Sequence, residues 1–72
     1  MQTLSDNYKS NVIILKENLK RGMTIEQSNH AVNNMESQFI SAKLYGSNEK
    51  TFINTMRAEI INHFSHLTVT TN

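Results

Sequence analysis

The sequence predicts an all-α protein, a compact up-down-up arrangement of three helices with short glycine-capped turns, associating through helical faces. Three observations carry that reading. Apolar residues recur at helical steps in three successive stretches, proline is absent, and the two glycines, Gly22 and Gly46, stand where the first two stretches end.

In the first stretch Leu4, Tyr8, Val12, Leu15 and Leu19 follow at steps of four, four, three and four. Such steps lie on one stripe of a helix, whereas a strand would alternate every second residue. Ser5 or Asp6 is placed to cap the start. Lys20 and Arg21 bring positive charge to the negative end of the helix dipole, directly before Gly22, which enters the left-handed conformation without a Cβ penalty. The first helix is therefore expected over 6–21.

Thr24-Ile25-Glu26-Gln27 reads as a capping box, in which the Thr24 hydroxyl and the Gln27 side chain each satisfy a free backbone N–H. Ile25, Val32, Met35, Phe39 and Ala42 continue the stripe, with Ser28 in one inward slot. This predicts a helix over 24–45, about 30 Å long and able to lie along both neighbours. After Gly46, Ser47 or Asn48 is the expected cap of a third helix over 48–67. Its inner face reads Phe52 or Ile53, Met56, Ile60, His63 or Phe64, and Leu67, and residues 68–72 are expected to fray. Connections of about two residues favour antiparallel neighbours. Exchange of helix one or helix three with a second chain would satisfy the same stripes and caps.

Composition limits the function. Seventy-two residues with 38% hydrophobic and 18% charged side chains make one small domain, too short for a large enzyme fold. A net charge of +1 argues against both a disordered charged tail and a strongly cationic nucleic-acid clamp. With no cysteine, disulfides, zinc-thiolate sites and thiol catalysis are excluded, so stability must come from packing or association. The longest apolar run, Val12 to Leu15, falls far short of the roughly 20 residues that cross a bilayer, and no membrane partner is expected. The polar start, Met1 to Lys9, lacks the apolar region of a secretion signal, so a cytoplasmic setting is expected. Ten Asn, seven Ser and seven Thr give a surface polar through uncharged groups, a bias that AT-rich coding, common among bacterial viruses and their hosts, also produces, and a phage-encoded chain is one expectation.

Three groups of residues invite a chemical reading. Glu59, His63 and His66 are spaced four and three apart, as a metal site or an acid-base pair would need, but without a fourth ligand they read as a solvated helix end beside the negative dipole pole. His30, among asparagines, reads the same way. No metal and no cofactor is therefore expected. Lys9, Lys16 and Lys20 share one face of the first helix, and with Arg21 they form the basic row on which nucleic-acid binding would rest. Arg21-Gly22-Met23-Thr24-Ile25-Glu26-Gln27 resembles the opening of helix-turn-helix repressors, a likeness of seven residues implying DNA binding. That family needs a short helix, a tight turn and a recognition helix, and here the pattern runs on as one long helix.

The third group is apolar surface beyond one stripe per helix: Ile13 and Ile14, Ile40 and Leu44, and Ile61 with Phe52 or Phe64. Part of it is expected to widen the core, and the rest to form a contact patch. The leading expectation is a non-enzymatic inhibitor, adaptor or regulator that docks a helical face on a larger protein and also self-associates, most simply as a homodimer. Glu36, Ile40, Lys43, Leu44 and Tyr45 would form the contact surface on the open side of helix two, with Leu44 and Tyr45 as its anchor. Nucleic-acid binding through Lys9, Lys16, Lys20 and Arg21 is the alternative. An oligomer that sequesters a small anionic ligand is a third.

Overall fold

The computed structural model describes the backbone of residues 4–69 and the side chains of residues 4–65. Helix α1 spans Asp6–Lys20, α2 Ile25–Ser41 and α3 Ser47–Val69, in the predicted up-down-up order.

The start of α1 is capped as expected, the Ser5 hydroxyl accepting from the Tyr8 N–H at 3.4 Å. Its end is a Schellman motif. The Gly22 N–H donates to the Leu19 carbonyl at 3.2 Å and the Met23 N–H to the Asn18 carbonyl at 3.0 Å. Gly22 makes this possible at φ 109°, a conformation that side chains rarely adopt. Both halves of the Thr24–Gln27 capping box form, each at 3.0 Å.

Helix α2 stops at Ser41, four residues before the predicted Tyr45. Lys43, not Gly46, takes the left-handed position, at φ 59°, and the Leu44 N–H closes onto the Phe39 carbonyl at 2.9 Å. A left-handed lysine costs about 1–2 kcal/mol. The turn offsets that by folding Tyr45 back against α2, its ring stacked on Phe39. Gly46 instead caps α3, in place of the expected Ser47 or Asn48. Its carbonyl accepts from the Lys50 N–H at 3.0 Å and its own N–H donates to Glu49 Oε1 at 3.0 Å. A Cβ on Gly46 would itself stand 3.0 Å from that oxygen. Helix α3 continues to Val69, two residues past its expected end, and the remainder of the tail, 70–72, lies outside the described residues.

Helices α1 and α2 both pack on α3 and barely touch each other, so α3, not the second helix, is the central element. The cause is the width of its apolar face. Phe52, Ile53, Met56 and Ile60 are all buried, whereas Val32 is the one large apolar side chain that α2 buries fully. The core is completed by Val12, Leu15 and Leu19 of α1. Ser28 is also fully buried, its hydroxyl donating to the Ile25 carbonyl at 2.9 Å, so the polar inward slot is satisfied within its own helix. Ile25, the first residue of α2, and Ala42, the residue after its last, both expected on the stripe, are exposed. The resulting body is flattened, 44 × 26 × 17 Å.

Candidate functional site

Where the start of α1, the end of α2 and the start of α3 meet, four aromatic rings interlock. Tyr8 lies flat on Phe52 with centroids 4.4 Å apart, and Phe39 meets both edge-on, at 5.9 Å and 6.2 Å. Tyr45 extends the cluster, parallel to Phe39 at 6.4 Å. Offset and edge-on contacts of this kind add about 0.5–1.5 kcal/mol per pair beyond area burial.

Both phenols end in charge-assisted bonds. The Tyr8 hydroxyl donates to Glu49 Oε2 at 2.7 Å, and the Tyr45 hydroxyl to Glu36 Oε2 at 2.6 Å. Arg57 Nη2 reaches Glu36 Oε1 at 2.8 Å and Asn33 Oδ1 at 3.0 Å, joining α2 to α3. The Arg57 guanidinium, helped by the Tyr45 hydroxyl, holds the Glu36 carboxyl down to about 2. The Tyr8 hydroxyl, with backbone N–H groups, likewise keeps Glu49 below its ordinary value. Each phenol is pushed up in return, first by its carboxylate partner and then by burial. Arg57 is raised by Glu36.

The five residues expected to form one contact surface thus divide. Glu36 does not lie on the open side of α2; four residues after Val32 it flanks the buried stripe and faces α3, with only 26% of its side chain exposed. Tyr45 is half-buried and tied to Glu36 and Phe39, and Lys50 Nζ lies 5.7 Å from its ring centre. Ile40 and Leu44 stand in solvent, 56% and 63% exposed, and Lys43 between them is exposed as well. Arg57, Asn33 and Glu49 escaped the sequence reading. A signal existed, since neither Glu36 nor Arg57 has an opposite charge three or four residues away on its own helix. A charge without a local partner in a half-apolar stretch points to one on another helix.

At the opposite end, Lys16 and Lys20 of α1 face Glu59, Asn62 and His63 of α3 across an open cleft of about 380 Å³. Past Leu19, Lys20 and His63 it continues into a second cleft of about 480 Å³, walled by Met23, Ile25 and Phe64. Residues considered for two separate chemistries therefore converge. Lys9 and Arg21 are exposed but line neither cleft. The His66 side chain lies outside the described residues, and among the described ones no three metal-ligating side chains come together. His30 is exposed on α2.

The surplus aliphatics do not widen the core. Ile13, Ile14, Ile40, Leu44 and Ile61 are all more than half exposed, while Phe52 is fully buried and Phe64 half-buried. Ile14 with Met23, Met35 and Val32 also lines an apolar groove of about 160 Å³ left between α1 and α2. No described helix is long and apolar enough to cross a membrane. Compared with protein-family models, curated proteins and solved structures, the chain matches none.

Proposed function

We propose that this chain is a small non-enzymatic binding protein that docks the C-terminal end of α2, with the turn after it, onto a larger protein partner as an inhibitor, adaptor or regulator. One observation supports it above the others: Ile40 and Leu44 are held in solvent by a turn whose backbone is fixed from beneath. The Schellman bonds set the path of Lys43 and Leu44, and the Tyr45 stack with its bond to Glu36 pins the chain immediately after them. An anchor already ordered before contact loses little conformational entropy on binding, and anchors of this type carry most interface energy. Lys43 adds a charge at the rim.

Leu44, not Tyr45, is the residue to change, because Tyr45→Ala would also remove a hydroxyl bond and a ring stack from the fold. The test places a photo-crosslinking residue at Ser37, on the exposed side of α2, and compares capture from host lysate with and without Leu44→Ser and Ile40→Ser. The expected result is a specific adduct lost in both serine variants at unchanged melting temperature and kept in Lys16→Ala/Lys20→Ala. An adduct that survives the serine variants and disappears with the lysines would overturn the reading. That outcome would favour the nucleic-acid alternative, whose support is that Lys9, Lys16 and Lys20 stay exposed on one face. The exposed isoleucines and Leu44 also support self-association, which sedimentation at micromolar concentration measures directly.

A further inference from the structure

We propose that the cleft between α1 and α3 at the Gly22 end binds a mononucleotide, its phosphate held by Lys16, Lys20 and Asn62 and its flat base laid along Met23 and Phe64. The two clefts share Leu19, Lys20 and His63 and so adjoin, the first bordered by lysine, carboxylate and amide side chains and the second mainly by apolar ones. Their volumes are about 380 and 480 Å³, and both open broadly to solvent.

The first cleft selects an anion. Lys16 and Lys20, one turn apart on α1, both line the cleft, and neither is consumed by an ion pair, since the one salt bridge among the described residues is Arg57–Glu36. Across from them Asn62 offers amide donors and His63 an imidazole edge. Among the described lining residues Glu59 is the single acid, so two lysines face one carboxylate.

The second cleft selects what the phosphate carries. Beyond Lys20 the lining turns to Met23, Ile25 and Phe64, and Phe64 is braced edge-on by His63 at 4.9 Å and 86°. Thioether and phenyl groups suit the face of a planar ring. A single strand of nucleic acid fits less well, because its next phosphate would meet this apolar wall, and Lys9 and Arg21, which would extend a phosphate track, line neither cleft.

The site lies away from Ile40 and Leu44, so its test is independent of the protein-docking reading. Amide resonances of the ¹⁵N-labelled chain are followed while AMP, inorganic phosphate or an oligothymidylate is added at low ionic strength. AMP is expected to give saturable shifts at Lys20, Met23, Asn62, His63 and Phe64, with phosphate alone weaker. Lys16→Ala/Lys20→Ala should weaken AMP by about tenfold or more, while Glu59→Gln, which keeps an acceptor and removes a repulsive charge, should tighten it. Both changes lie at the surface, and a circular dichroism melt confirms the fold. Absence of saturable shifts with millimolar AMP, equal affinity for AMP and phosphate, or tighter oligothymidylate binding with shifts at Lys9 and Arg21 would each overturn the proposal.

Discussion

At the end where Gly46 starts α3, four aromatic rings and two carboxylates close the three helices on one another, whereas at the end where Gly22 closes α1 the same helices stand apart around two clefts. The difference follows from where the large flat side chains fall. Tyr8, Phe39, Tyr45 and Phe52 meet at one end, and among the described residues only Phe64 serves the other, beside residues that keep their charges in water.

Truncating one ring at each end gives the largest expected contrast. Phe52→Ala is expected to cost about 3–5 kcal/mol and to leave little folded protein at physiological temperature. Phe64→Ala, at a half-exposed site, should cost well under half as much by urea unfolding. Equal losses would show that the two ends share stability evenly.

The two helix-closing turns give the next effects, of opposite sign. Gly22→Ala should destabilise by about 1 kcal/mol or more, because φ 109° is strained for alanine even though its Cβ would meet nothing within 4 Å. Lys43→Gly should stabilise by roughly 1 kcal/mol, as glycine takes the left-handed position freely. Thermal melts of both variants test this. A stabilising Gly22→Ala would refute the Schellman assignment.

The closed end should also set the pH response. Glu36 is lowered to about 2 when folded and titrates near 4.3 when unfolded, so the unfolded chain takes up the proton first. Its contribution is present above about pH 4.3 and is lost as pH falls towards 2. Tyr8 and Tyr45 are raised, so their contribution is present below about pH 10 and fades as pH rises through their folded values. Unfolding midpoints against pH should fall at both extremes, and Glu36→Gln should flatten the acid limb. An unchanged acid limb in that variant would mean that other carboxylates govern it.

The smallest effect belongs to the proposed docking residues. Leu44→Ser should move stability by no more than about 0.5 kcal/mol, as expected of a surface site. A larger loss in equilibrium unfolding would make Leu44 part of the closed end and not a free anchor.

Features that depend on neighbours within about one helical turn were legible in the sequence. The stripe of α1 and that of α3 apart from Leu67, whose side chain lies outside the described residues, the Thr24–Gln27 box, the Gly22 closure and the inward Ser28 belong to this group, since capping bonds and helical periodicity involve residues three to five apart. Other features needed the tertiary structure. The early stop of α2 rests on Tyr45 reaching Phe39 and Glu36, and a glycine three residues after Lys43 masked it. The central place of α3, the Glu36–Arg57 pair across 21 residues and the Tyr8–Glu49 bond across 41 arise only when helices dock. The same docking brought Lys16 and Lys20 to face Glu59 and His63 and left Ile40 and Leu44 outside. Which flank of an amphipathic helix is covered depends on the width of the face opposite it, a property of two helices together and of neither alone.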